Sequence, residues 1–318
     1  MLSKLSESTK TKLSPHSLLK APTIAALAEL IEETSSAQKL TNRPGNKALP
    51  PSLVEIQTGI KQPLFLVHPA GGQIYVYRDL AHHLGSDQPV YGLQSQSADE
   101  ETDAFLCVEE MAANYVDTLR VVQPEGPYLL GGSSFGGTVA FEMAQQLEAQ
   151  GQKVALLALI DTPGWGYMPA GHIEDSVVKI MAYLLGLGAN VSNSLDRLQQ
   201  LGTEEQLRYF LEQGKAALRL PDGFGLSELR QYHQLFKGHV QAMRNYIPQA
   251  YSGQVIFFRA GERDAFNPPN PELGWINLAA GGLQIHEVPG NHITMHFPPH
   301  VQVIAEQLKA YLNEAAVG

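Results

Sequence analysis

At 318 residues, 44% apolar and 17% charged, the chain has room for one large globular domain with an appendage. A formal charge of -10 and a sequence pI near 5.5 exclude a general nucleic-acid or anionic-membrane surface. One cysteine excludes an internal disulfide framework, and no apolar run approaches a signal peptide or a membrane span, so the expected compartment is the cytoplasm.

Residues 1–34 end in "APTIAALAELIEE", with Pro22 near a helix start and Ile24, Leu27, Ala28, Leu30 and Ile31 on one face. Residues 35–58 carry Ser, Asn, Gly and a Pro-Pro pair with little periodicity, which is linker chemistry. From residue 59, short apolar strands alternate with helical patterns. "PLFLVHP" predicts a strand, "AGG" the turn after it, and "PVYGLQ" a second strand. In "AFLCVEEMAANYVDTLRVV", Val108, Met111, Ala112, Tyr115, Leu119 and Val122 recur at helical spacing, and Cys107 reads as a packing position. A strand at 127–132 leads into another helix, and "KVALLALID" is a continuous apolar run that suits a parallel strand buried on both faces. Residues 162–252 show helical patterns around 177–187, 204–218 and 226–246 but no good strand; an insertion of that length reads as a lid, placed at about 165–250. Its Tyr183, Tyr209, Phe210, Tyr232 and Phe236 fit either a substrate channel or helix packing. "GQVIFFRAG" and "GLQIHEVPG" are later strands, and a last helix covers 299–312. Internal repeats are absent. The alternation predicts an α/β, doubly wound and mostly parallel sheet.

The chemistry concentrates in "LLGGSSFGGTVAFEMA", residues 129–144, which reads as strand, sharp turn, helix. In a G-x-S-x-G elbow a strained turn lifts a serine hydroxyl clear of the sheet edge, and the residues two before and two after must be nearly free of side chain. Ser134 has Gly132 and Gly136 at those places, whereas Ser133 would need a glycine where Phe135 stands. The register selects Ser134. A plain glycine-rich connector remains the alternative for the motif taken alone.

A serine hydroxyl needs an imidazole to take its proton and an acid to orient that imidazole. The order Ser, Asp, His along the chain, each at a strand end, is met by Ser134, Asp161 after "KVALLALI", and His292 after "LQIHEVPGN". Asp264 also follows a strand, and the residues alone place it level with Asp161. Among the histidines, His286 lies within a strand, His296 and His300 come later, and only His292 occupies the short loop past the strand end. A metal reading of His286, His292 and His296, or of His82 and His83, lacks both a helical HExxH and a thiolate. Oxyanion donors are expected from the backbone amide of Phe135, at the helix start, and of Ala70, in "HPAGG".

With these residues in place, "PLFLVHPAGGQIYVYRDLA", "PYLLGGSSFGGTVAFEMAQQL", "VALLALIDTP", "NYIPQAYSGQVIFFRAGE" and "VPGNHITMHFPPHV" resemble the thioesterase domains of polyketide synthase and nonribosomal peptide synthetase assembly lines. The resemblance covers roughly residues 60–315. It implies an α/β-hydrolase fold over 59–318 and an acid on the strand after the elbow, hence Asp161. Ser133 departs from the aromatic residue usual just before the nucleophile. "LSPHSLLKAPTIAALAELIEE" resembles the closing third of an acyl carrier domain, so 1–34 reads as the remnant of a neighbour and 35–58 as its linker. Ser17 lacks the Gly-Gly turn that an attachment site would have.

The resemblance implies a serine thioesterase that releases an acyl, polyketide or peptidyl chain from a carrier's phosphopantetheine by transfer to Ser134, then by hydrolysis or cyclisation. The expected partner is the acyl or peptidyl carrier domain bearing the thioester, with a homodimer as an option and neither nucleic acid nor membrane. No cofactor or metal of its own is implied. The rivals are a stand-alone editing thioesterase or carboxylesterase, and a non-catalytic module that docks a carrier.

Overall fold

The computed structural model describes residues 49–95, 107–164, 200–216, 225–262 and 272–316, together with Val177, Val178, Met181, Leu198 and Asn270. Among these, seven strands form one sheet: β1 (Leu53–Gln57), β2 (Leu64–Val67), β3 (Val90–Leu93), β4 (Tyr128–Ser133), β5 (Val154–Ile160), β6 (Val255–Ala260) and β7 (Leu283–Val288). The helices are α1 (Arg78–Leu84), α2 (Val108–Leu119), α3 (Phe135–Ala149), α4 (Thr203–Ala216), α5 (Leu226–Asn245), α6 (Leu273–Ile276) and α7 (Val301–Ala315). Strand order is β1-β3-β2-β4-β5-β6-β7, and every neighbouring pair is parallel except β1 with β3.

The apolar runs become central strands because alternate side chains feed two separate cores. Phe65, Val67, Leu130, Leu157, Leu159 and Phe257 join α2 and α3 on one face. Leu64, Leu66, Leu129, Leu156, Ile160 and Phe258 join α1 and α7 on the other. Each fully buried side chain of this size contributes roughly 1.5–3 kcal/mol, so β2, β4 and β5 are the best-anchored part of the sheet. The expected α/β doubly wound sheet is the observed one.

Two local readings change, and one helix adds to the sequence reading. The stretch taken as linker ends in β1, whose burial runs from buried Leu53 to part-exposed Gln57 with an irregularity between Glu55 and Gln57. A one-sided edge strand carries little apolar periodicity, which hid it. "RDLAHHL" forms α1, although only Leu80, Ala81 and Leu84 are buried in it. Cys107 is half-buried at the cap before α2, one residue ahead of the packed face that starts at Val108.

The chain divides into two compact units. Pro50–Val177 with His233–Gly318 contains the whole sheet. Met1–Leu49 with Val178–Tyr232 is the other. Within the second, Leu207 and Phe210 bury one face of α4, while Glu204 on its exposed side accepts hydrogen bonds from Arg208 at 3.2 Å and Arg230 at 3.0 Å. Residues 1–34, Ser17 and Tyr183 lie outside the described residues. From His233 onward α5 belongs to the unit that contains the sheet, and Phe236 is buried there.

Candidate active site

Strand order reverses about β2, with β3 on one side and β4 on the other. The carboxyl ends at such a switch point leave a crevice where open α/β sheets bind ligands. Val67 at the end of β2 pairs with Gly132 of β4. The two glycine-rich turns singled out in the sequence therefore leave the sheet side by side.

The elbow is built as its spacing requires. Ser134 stands at φ 53 and ψ -123, a left-handed backbone conformation unfavourable for a residue with a Cβ. A Cβ at position 132 would lie 2.2 Å from the Gly136 carbonyl oxygen, and one at 136 would lie 2.2 Å from the Val67 oxygen. Only glycine fits at either place. Ser134 is half-buried and its amide donates to the Ile160 oxygen at 2.9 Å, which ties the elbow to the strand that ends in the acid. Ser133 is buried, its hydroxyl hydrogen-bonded to His296 Nε2 at 2.8 Å and its amide donating to the Tyr77 hydroxyl at 2.8 Å.

Asp161 follows β5 at φ 42, 2% exposed. Its amide donates to the Phe258 oxygen at 2.7 Å, and its Oδ1 accepts from the Ala260 amide at 3.0 Å, so the end of β6 holds the residue by both main chain and carboxylate. The other oxygen, Oδ2, accepts from His292 Nδ1 at 2.8 Å. This pairing fixes the His292 tautomer and leaves Nε2 as the basic nitrogen. The imidazole is 21% exposed, open enough to exchange protons with a bound reactant. Asp264 lies outside the described residues.

The loop that carries His292 is organised by its own side chains. Asn291 Oδ1 accepts from the amides of Ile293 at 3.1 Å and Thr294 at 2.9 Å, and Thr294 Oγ1 accepts from the Asn291 amide at 2.9 Å. Gly290, at φ 88, leaves no room for a Cβ, which would lie 2.6 Å from Thr294 Oγ1. Because His292 holds Asp161 and His296 holds Ser133, the loop is fastened at two points that flank Ser134 along the sheet edge. Burial, reinforced by the neighbouring His292, pushes the His296 imidazole down to about 3. It is neutral at physiological pH. His286 Nε2 bonds the Tyr311 hydroxyl at 2.6 Å, and His300 stands at the start of α7 with no side-chain capping bond; neither bonds Asp161 or His292.

Of the three amides in "AGG", Gly71 donates to His239 Nδ1 at 3.2 Å and Gly72 to the Pro69 oxygen at 3.1 Å. Ala70 is the third. Phe135 opens α3, so its N–H has no acceptor within the helix and adds the helix's positive end. Among the described residues, no three His, Cys, Asp or Glu side chains converge as a metal site, and no helix is long and apolar enough to cross a membrane.

Several supports escaped the sequence reading. His68, fully buried, bonds the Pro69 oxygen through Nδ1 and the Tyr115 hydroxyl through Nε2, each at 2.8 Å. Burial lowers it to about 4. His239 and the Ser133–His296 bond were equally silent. Asn291 with Thr294 carried a legible signal, since Asn followed by Thr three residues on is turn-forming chemistry beside the candidate base.

This architecture has relatives. Residues 62–167 match the family model described as Thioesterase domain. The chain is 32% identical over 99% of its length to the dimodular nonribosomal peptide synthase of Bacillus subtilis (strain 168), of which it spans 13%. It superposes on holo-AB3403, a four-domain nonribosomal peptide synthetase bound to AMP and glycine, with a TM-score of 0.73 and 26% identity, covering 97% of this chain and 23% of that one. On the NocB thioesterase domain, in covalent complex with a fluorophosphonate nocardicin G analog, the TM-score is 0.60 at 26% identity, covering 82% of this chain and 99% of that one. Together with the doubly wound sheet and its elbow, these similarities show a thioesterase domain matched over residues 62–167, in an α/β-hydrolase fold.

Proposed function

We propose that the site releases an acyl or peptidyl chain held as a thioester on the phosphopantetheine arm of a carrier domain. Ser134 Oγ attacks the thioester carbonyl while His292 Nε2 takes its proton. Asp161 holds the imidazolium that forms, and the amides of Ala70 and Phe135 receive the developing oxyanion. When the tetrahedral species collapses, the C–S bond breaks and His292 returns the proton to the departing sulfur. Water, or an amine or hydroxyl of the chain itself, then attacks the acyl-serine, giving its proton to His292 and restoring the Ser134 hydroxyl. The observation that carries this reading is the 2.8 Å Asp161–His292 bond beside a serine held at φ 53. A strained turn has little reason to persist unless it presents the hydroxyl.

Carrier delivery is supported by the carrier-like sequence of residues 1–34, and by relatives that are peptide synthetases of which this chain spans a small part. A short tether holds a carrier-bound thioester at an effective concentration of about millimolar, so binding contacts to a free acyl group can be weak. The test is to compare kcat/KM for an acyl group on a phosphopantetheinylated carrier with that for the same acyl group as a simple free oxoester. The carrier thioester is expected to be strongly preferred. Equal efficiency on both would overturn carrier release in favour of a general esterase.

A further inference from the structure

His239 belongs to none of the motifs above, yet it bonds the residue beside one proposed oxyanion donor and stacks on the side chain of the other. It projects from α5, is 3% exposed, and its Nδ1 accepts the Gly71 amide at 3.2 Å, next to the Ala70 donor. Its ring stacks on Phe135, the residue of the second donor, with centroids 4.7 Å apart and planes 13° apart. It also lies 5.0 Å from His68, whose own bonds to Pro69 and Tyr115 hold the base of the same turn.

The turn needs such supports. Gly71 and Gly72 stand at φ 97 and 84, conformations that glycine adopts freely and therefore also leaves freely. An oxyanion donor acts only if it is preorganised, and a misplacement of about 1 Å can lower the rate on the order of a hundredfold. Main-chain bonds from the Gly72 amide to Pro69 and from the Ser95 amide to the Gly72 oxygen close the far side of the turn. On the near side, beside Ala70, the Gly71 amide is held by an imidazole.

We infer that His239 is a positioning residue for the oxyanion hole, its Nδ1 lone pair fixing the Gly71 amide and its ring fixing Phe135. This inference rests on the acyl-transfer reading of the site. The hydrogen bonds assign the protons. Because Nδ1 of His239 accepts, its Nε2 carries the hydrogen; because Nδ1 of His68 donates to the Pro69 oxygen, its Nε2 accepts from Tyr115. Both rings must be neutral for this arrangement. Burial, with the neighbouring His68 adding to it, holds His239 well below the usual histidine range.

The experiment uses the full chain with two variants that separate ring from acceptor. His239→Phe keeps the stack on Phe135 and removes the lone pair. His239→Asn removes the ring and keeps an acceptor near the Nδ1 position. Acylation rate, KM, thermal midpoint and inhibition by phenylboronic acid, which forms a tetrahedral adduct on an active serine, are read for each. His239→Phe is expected to lose about tenfold to a hundredfold in kcat with KM within about twofold, to weaken phenylboronic acid in parallel, and to lower its thermal midpoint modestly, because the buried Gly71 amide loses its acceptor. His239→Asn is expected to recover most of that loss. A wild-type acylation rate in His239→Phe would overturn the inference, as would equal impairment of both variants with matching losses of thermal midpoint. Should His239→Phe fail to fold, His239→Asn decides alone: a near-wild-type rate supports the acceptor role, and a slow rate at unchanged midpoint overturns it. Ser134→Ala is run alongside. If that variant stays active, the acyl-transfer reading itself has failed; if it is dead while His239→Phe is normal, only the role of His239 has.

Discussion

The proposed acid–base side and the proposed oxyanion side of this site are held in different ways. Ser134, Asp161 and His292 each sit where a strand or its short exit loop ends, and the bonds that fix them come from neighbouring strand ends: Ile160 for the elbow, Phe258 and Ala260 for the acid. The "HPAGG" turn is supported instead by side chains far along the chain, Tyr115 from α2 and His239 from α5, reaching it through buried imidazoles. One side is ordered mainly by sheet geometry and, in the proposed reaction, works through charge. The other is ordered by long-range neutral contacts and, in the same proposal, works through backbone dipoles. Parts fixed by a regular framework leave a local signature in the chain, whereas parts fixed by tertiary contacts do not.

The sharpest way to break the acid–base side is to remove the nucleophile. Ser134→Ala should lose on the order of 10⁶ in kcat, as other serine nucleophiles do, with unfolding little changed because alanine keeps the Cβ and hence the strain of the turn. Asp161→Asn should lose about 10⁴, because the amide no longer selects the His292 tautomer with Nε2 free to accept. Asp264→Asn should lose less than about tenfold, or ~1.4 kcal/mol of barrier. Acylation rates of the two asparagine variants, measured side by side, check the assignment; a healthy Asp161→Asn with a crippled Asp264→Asn would reverse it.

The buried neutral imidazoles on both sides should show themselves in acid stability. His68 and His296, at about 4 and about 3 in the folded protein against 6.5 unfolded, bind protons more weakly folded than unfolded. Stability should therefore be fully present above about pH 6.5 and fall as pH drops from there towards 4, since the unfolded chain takes up protons that the buried rings refuse. His239 acts in the same direction. Between pH 7 and pH 5 the loss should be on the order of a few kcal/mol, read as a lower urea midpoint. A midpoint that holds or rises over that range would contradict neutral burial of these rings.

The smallest effect separates the two adjacent serines. Ser133→Ala should keep kcat within about tenfold but lose roughly 1–3 kcal/mol of stability, because buried His296 Nε2 is left without its partner. Urea unfolding with parallel kinetics resolves the two quantities. A large rate loss without a stability loss would move Ser133 into the chemistry.

How much of this was legible follows from the same division. "PLFLV", "YLLGG" and "VALLALI" are apolar runs buried on both faces, so β2, β4 and β5 could be read directly, and the glycines at 132 and 136 announced the elbow through steric need. β1 was lost because an edge strand packs one face, and α1 because its two histidines and two charged residues mask three buried positions. Asp161 and Asp264 were equivalent to residue-level reasoning, since both follow strands; the His292 bond supports Asp161, and Asp264 lies outside the described residues. His239 could not have been found at all. A lone histidine inside an amphipathic helix carries no mark of the glycine turn 168 residues away that it supports.

The central claim is that Ser134 alone is the activated nucleophile, and covalent labelling tests it most directly. The full chain is treated with a fluorophosphonate probe at pH 7, and the product is read by intact mass and peptide mapping. One label per chain on Ser134, abolished in Ser134→Ala and strongly slowed in Asp161→Asn, is the predicted result. A label on Ser133, or no labelling by a protein that still turns over a carrier thioester, would contradict it.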